Sequence, residues 1–97
     1  MPTFVILTNF TEKGLHDIKD SPKRSEAFKE TARKSGCAVR EILYTQGRFD
    51  MVCILEAPDE ATAHALILGA AKLGNIRTES LQAFSASEMA KILEKVA

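Results

Sequence analysis

The chain has 97 residues, 45% hydrophobic and 27% charged, the balance of one globular domain over residues 1–97 rather than of a disordered or membrane-embedded chain. Thirteen basic residues cancel thirteen acidic ones, so no net field gathers a polyanion, and neither nucleic acid nor a membrane surface is expected as a partner. Cys37 and Cys53 are too few and too far apart for a zinc site or a disulfide scaffold, and no apolar run approaches the roughly 20 residues that span a bilayer. With no basic leader before the first apolar run, the cytoplasm is the expected compartment.

Thr3 to Asn9 is a β-branched and aliphatic run bounded by Pro2 and by polar residues, which reads as a buried strand. A short turn carrying Leu15 and Ile18 follows, and Asp20-Ser21-Pro22 supplies a cap and a first-turn proline for a helix from Pro22 to about Ser35. Ala27, Phe28, Thr31 and Ala32 form its inner stripe, Glu30 is placed to pair with Lys34, and Gly36 suits a left-handed stop. Its charges, Arg24 among them, read as a solvated face.

Ala38 to Thr45 and Arg48 to Ala57 are strand-like and joined by Gln46-Gly47, which predicts a hairpin with a tight turn. Pro58-Asp59-Glu60 starts a second helix whose Ala63, Leu66, Ile67, Ala70 and Ala71 share one face before Gly74 ends it. Asn75 to Phe84 is a more polar, outer strand, and Ser85 with Glu88 forms the capping box of a last amphipathic helix.

This order gives an α+β, ferredoxin-like βαββαβ domain plus a C-terminal helix, with both crossover helices on one face of the sheet. Val5, Leu7, Val52 and Ile54 should share one face, and Phe4, Ile6, Met51 and Cys53 the other. Both are too apolar for water, so a homodimer or larger even-numbered assembly packed sheet to sheet is expected, with room for a ligand between. Ile54 and Ile67 are both expected in the core, where an aspartate would unfold the domain.

Tyr44-Thr45-Gln46-Gly47-Arg48-Phe49-Asp50, Glu56-Ala57-Pro58-Asp59 and Leu73-Gly74-Asn75-Ile76-Arg77-Thr78-Glu79 together resemble the GYD-domain family. The opening Thr3 to Thr11 and the stretch Lys19-Asp20-Ser21-Pro22-Lys23-Arg24 are similar as well, so the likeness covers nearly the whole chain. Phe49 stands where tyrosine is usual, which removes a phenol. The resemblance implies a dimeric α+β barrel and supplies no reaction. Gly47 to Asp50 and Gly74 to Thr78 also look like the ligand-sensing domain of leucine-responsive regulators, in which the glycine turn binds amino-acid effectors at an assembly interface.

Among candidate site residues, Asp50 opens an apolar strand beside a glycine turn, where it either perturbs toward chemistry or caps the hairpin by accepting backbone N–H bonds. Gly47 serves the turn, and Arg48 either clamps a carboxylate or lies in solvent. Tyr44, Arg77 and Thr78 complete a candidate ligand-binding set, with Arg77 expected near Asn9 at the opposite end of the sheet from Tyr44. On that placement only assembly unites the two clusters.

The lead reading is a small-molecule-binding module with its ligand near the hairpin or between the sheets. The alternative is a cofactor-independent monooxygenase or isomerase using Tyr44, Asp50, Thr8 and Arg77. No cofactor and no metal are expected. His16 and His64 lack ligand-spaced neighbours, and Asn9 with His64 is a weak match to a haem-degrading pair. Both cysteines read as structural.

Overall fold

Alternation along the first strand builds the molecule. In β1 (Thr3–Phe10) Phe4, Ile6, Thr8 and Phe10 are buried and the residues between them are half-buried, so the even positions face a core and the odd positions a second, partly open face. The computed structural model describes residues 1–97. After β1 come α1 (Glu12–His16), a 3₁₀ turn at Ile18–Asp20, α2 (Ser21–Lys34), β2 (Ala38–Tyr44), β3 (Met51–Glu56), α3 (Glu60–Ala71), β4 (Ile76–Ala83) and α4 (Ala86–Leu93). The four strands form one antiparallel sheet in the order β2-β3-β1-β4, the ferredoxin-like α+β arrangement expected from the sequence.

Cross-strand register assigns the faces. Cys53 and Leu55 of β3 lie opposite Ile6 and Phe4 of β1, and these four join Ala32 of α2 with Ala63, Leu66 and Ile67 of α3 in the core. Directly paired residues share a face, so Val5, Leu7, Val52 and Ile54, with Leu43 of β2 and Leu81 of β4, line the face away from the helices. Leu43 is 51% exposed and Leu81 46%. The two apolar faces fall as the alternation predicts.

Several local expectations change. Ile54 is half-buried on the open face, outside the core that holds Ile67. Phe4, Ile6 and Met51 face the helices, so any cavity they line lies under α2 and α3 rather than between two sheets. The hairpin connection is the six-residue stretch Thr45 to Asp50, closed by the Thr45 N–H donating to the Asp50 carbonyl at 2.8 Å and the Thr45 hydroxyl donating to the Phe49 carbonyl at 2.5 Å, while the Asp50 N–H donates to the Thr8 carbonyl of β1 at 2.9 Å. A register shift at Arg40 also bends β2, and the Arg40 Nε donates to Glu56 at 2.6 Å.

Helix α2 starts at Ser21, since the preceding 3₁₀ turn already has helical backbone at Asp20 and leaves that carboxylate out of the cap. Glu30 pairs with Arg33 rather than Lys34. The remaining punctuation holds. Gly36 and Gly74 take φ of +79° and +86° just past their helices, Asp59 caps α3 by accepting from the Thr62 N–H at 2.7 Å, and Ser85 with Glu88 closes a reciprocal capping box on α4. No helix is long and apolar enough to cross a membrane.

Candidate functional site

One register row crosses the whole sheet on its helix side: Tyr44, Met51, Thr8 and Thr78 stand side by side on β2, β3, β1 and β4. Three strand spacings separate its ends, about 14 Å. Above this row α2 and α3 do not close on each other. Between them and the sheet lies a cavity of about 760 Å³, floored by Ile6, Thr8, Met51 and Cys53 and walled by Phe28 of α2 and Leu66 and Ala70 of α3. Its lining is chiefly apolar, with the hydroxyls of Thr8, Ser21 and Thr78 among the polar groups.

The helix walls are thin because their inner residues are small. Ala61, Ala65, Gly69 and Ala70 of α3 face Ser21, Ser25 and Ala27 of α2 across the opening. Gly69 has nothing within 4 Å of where a Cβ would sit. Glycine inside a helix costs about 0.8–1 kcal/mol relative to alanine, and no close packing repays it here. Gly69 is exposed at the mouth of the cavity.

The expected site residues divide between this cavity and its surroundings. Thr78 lines the cavity. The Tyr44 hydroxyl hydrogen-bonds the Ser21 Oγ at 2.9 Å and lies 3.3 Å from the Ser25 Oγ, so Tyr44 ties the sheet edge to the first turn of α2 at the cavity rim. Arg77 pairs with Asn9 as expected, but it stands at the same end of the strands as Tyr44, on the opposite edge and the opposite face. Antiparallel pairing of β4 to β1 and of β3 to both β1 and β2 dictates this, and it corrects the opposite-end placement.

Asp50 accepts a backbone N–H as expected, but from the neighbouring strand β1 rather than from its own hairpin. Its Oδ2 accepts from the Phe10 N–H at 2.9 Å, which continues the β1 pairing beyond the end of β3. Gly47 has φ +133° and no neighbour, a backbone that side chains rarely adopt. Arg48 is exposed and lies over the Phe49 ring at 5.7 Å, a cation–π contact that any aromatic ring supports. Of the six candidate residues only Thr78 lines the cavity; Tyr44, Gly47, Arg48, Asp50 and Arg77 do not.

Burial of Cys53 in the cavity floor pushes its thiol up to about 11, and burial also raises Cys37. Neither is a nucleophile at neutral pH. His16 and His64 are exposed, and no group of three or more His, Cys, Asp or Glu side chains converges to hold a metal.

Sequence reasoning missed three residues at this site, and Gly14 beside it. Arg24, read as a solvated charge, is half-buried: its Nη1 donates to the Asp17 carbonyl at 3.0 Å and its Nη2 is shut from solvent without a partner. Ser21 is buried, and Gly69 was passed over within the α3 pattern. Gly14 packs so closely on the loop after α3 that an added Cβ would lie 2.1 Å from the Asn75 carbonyl oxygen. Thr11 and Lys13 hold that loop through the carbonyls of Gly74 and Leu73, at 2.6 and 2.9 Å. Ser21 and Arg24 did carry a signal, since both lie in the family-like stretch Lys19 to Arg24.

With the geometry in place, the comparisons with known proteins assign the family. The chain is 31% identical over 90 residues to a Thermus thermophilus protein named glutamine synthetase and cystathionine beta-lyase binding protein, covering 92% of this chain and 95% of that one. In fold it is similar to a solved feast or famine regulatory protein from M. tuberculosis complexed with L-methionine, with a TM-score of 0.67 at 16% identity over 89% of this chain. The chain spans about half of that regulator, 52% of its length. The GYD domain model matches residues 4–93, and the chain belongs to the GYD-domain family.

Proposed function

We propose that the protein is a small-molecule-binding module, with its ligand held in the cavity between α2, α3 and the sheet and two copies paired through the open sheet face. The observation that carries this reading is the cavity itself, whose volume of about 760 Å³ falls within the roughly 300–1,000 Å³ typical of sites for small organic ligands. Gly69, exposed at the cavity mouth with nothing beside its Cβ position, leaves the opening unobstructed. The candidate set Tyr44, Gly47, Arg48, Asp50, Arg77 and Thr78 then takes unequal parts. Thr78 borders the ligand, Tyr44 holds Ser21 and Ser25 at the rim from outside, Asp50 and Gly47 shape the loop that ends the sheet, and Arg48 and Arg77 remain outside. The two unpaired cysteines suit a reducing, cytoplasmic setting.

A thermal-shift screen of the purified chain tests the reading, since a compound that binds the native state alone raises its melting temperature. Gly69→Phe fills the cavity from an open position and should abolish any shift seen with the parent. A shift that survives in Gly69→Phe would place the ligand elsewhere. Chemical conversion of the bound compound would replace the binding module by an enzyme.

A second reading, association with a metabolic enzyme, is favoured by the name of the Thermus relative, which matches this chain over 95% of its own length. The exposed stripe Met89, Leu93 and Val96 at α4 offers such a partner an apolar surface. Co-elution of purified glutamine synthetase with the parent protein, lost in Leu93→Asp, is the outcome that this reading requires.

A further inference from the structure

Arg24 is out of place in an apolar wall. Its Nη2 is the one buried side-chain nitrogen or oxygen in the molecule with no hydrogen-bond partner, and a charged donor withdrawn from water without a partner is more costly than any neutral one. Its Nη1 is already committed to the Asp17 carbonyl, which leaves Nη2 free. No acidic side chain forms an ion pair with it. Arg24 and Lys72 are the charged residues that line the cavity, and no carboxylate does. Arg24 also borders an adjoining shallow cleft that holds Asp17 and Asp20 with Lys13 and Lys23, but neither acid forms an ion pair with it, and Asp17 is in contact with His16 at 3.1 Å.

We propose that the ligand of this cavity is an amphipathic carboxylate, with its anionic head on Arg24 and its apolar body laid between α2 and α3 along Phe28, Met51 and Leu66. The inference rests on the cavity being the ligand site. It goes further by assigning the head group and the residue that reads it. Nη2 has no surface open to the cavity, so the contact requires the Arg24 guanidinium to turn toward the ligand, where a carboxylate supplies the acceptor it lacks in the charge-assisted contact that guanidinium groups favour. The hydroxyls of Thr8 and Thr78 add neutral donors on the cavity floor. A zwitterionic amino acid fits poorly, because its ammonium would enter a lining that holds two cations and no anion. Charge complementarity therefore selects a ligand with one negative end and no positive one.

Calorimetry on the whole chain tests this with three probes of one chain length: decanoate, decanol and decyltrimethylammonium, each below its micelle concentration. Decanoate should bind the parent at least tenfold more tightly than decanol, with the cation weakest. Arg24→Met should weaken decanoate by roughly ten- to a hundredfold while leaving decanol unchanged, and Arg24→Lys should recover part of the loss. Should Arg24→Met fail to fold, the parent's preference between decanoate and decanol decides alone. Equal affinity of the parent for decanoate and decanol, abolished for both by Gly69→Phe, would overturn the head-group assignment and leave the cavity reading intact. Binding of neither probe would overturn both, as would a groove occupied by α4 of a second copy, which would show as dimerisation lost in Leu93→Asp.

Discussion

Replacing Ile54 by aspartate puts a carboxylate in the middle of the open sheet face, opposite Val5 on β1 and Glu41 on β2. In an isolated copy that carboxylate reaches water. Ile54 is only half-buried, so the change forfeits about half of the roughly 1.5–3 kcal/mol that a fully buried side chain contributes, or about 1 kcal/mol. Against a typical stability of about 5–15 kcal/mol the fold survives. In a pair joined sheet to sheet the substitution occurs twice by symmetry. Each copy then loses about 1 kcal/mol of burial and strands a carboxylate at a further cost of about 1–3 kcal/mol. The pair is weakened by about 4–8 kcal/mol, a thousandfold or more in Kd. Sedimentation velocity with far-UV circular dichroism reads both outcomes: the parent sediments as a dimer at micromolar concentration, and Ile54→Asp as a folded monomer. Ile67→Asp, placed in the core, should lose its cooperative transition altogether. A parent that sediments as a monomer, or an Ile54→Asp variant that associates as the parent does, would refute the assignment of this face to self-association.

Gly69→Ala should raise stability by about 0.5–1 kcal/mol in denaturant unfolding, because the helix gains a better former in open space. Asp50→Ala should cost about 1–3 kcal/mol by leaving the Phe10 N–H without its acceptor, whereas Asp50→Asn, which keeps an oxygen there, should cost less. Backbone hydrogen bonds from Thr62 and Ser85 hold the Asp59 and Glu88 carboxyls below their ordinary range. Their contribution is therefore present above the unfolded carboxylate range and lost as pH falls below about 4; melting curves should show a shallower acid decline in Asp59→Asn. With Cys53 pushed up to about 11 and Cys37 also raised by burial, a thiol reagent at pH 8 should modify the native protein slowly and both cysteines rapidly once it is unfolded.

The strands and the later helices were legible because their signals are local and periodic. Alternation in β1, the α3 face of Ala63, Leu66 and Ile67, the Ser85–Glu88 box and the glycine stops at Gly36 and Gly74 each depend on residues within a few positions of one another. The family-like segments extended this to topology. What misled was anything set by tertiary partners. Asp50 binds Phe10 from 40 positions away, so the hairpin loop is longer than its glycine suggested. Arg24 looks like every other charge on α2 until the 3₁₀ turn brings the Asp17 carbonyl to it. Ile54 and Cys53 are neighbours of similar character, and only the pairing of the sheet shows that one faces helices and the other an open surface. For the same reason Tyr44 was joined to Asp50 and Arg48 across a turn, while its real contact, Ser21, lies 23 positions back.

The two unpartnered apolar surfaces of this chain differ in shape, and shape separates what each can recognise. The open sheet face, with Val5, Leu7, Leu43, Val52, Ile54 and Leu81 at its middle, is a broad sheet surface with Thr3 and Glu56 toward one end, Asn9 and Arg77 toward the other, and Glu41 and Glu79 on the outer strands. A surface of that kind has no preferred small guest, because a small molecule on it would leave most of its own area in water, whereas another sheet covers it throughout. The cavity under α2 and α3 is concave, lined by small helix residues, with Arg24, Lys72 and a few hydroxyls as its polar groups. A small guest there would be surrounded and oriented by few polar contacts, which is how ligand sites gain specificity. The two surfaces are connected through β1 and β3, whose alternate residues serve each in turn: Thr8 and Cys53 face the cavity while Leu7 and Val52 face the open side. A guest that shifts Met51 or Thr8 therefore moves the strands on which the second copy would rest. If ligand and partner are coupled through the pleat, decanoate should change the dimerisation constant of the parent while leaving that of Gly69→Phe unaltered. An unaltered constant in the parent at saturating decanoate would show that the two faces act independently.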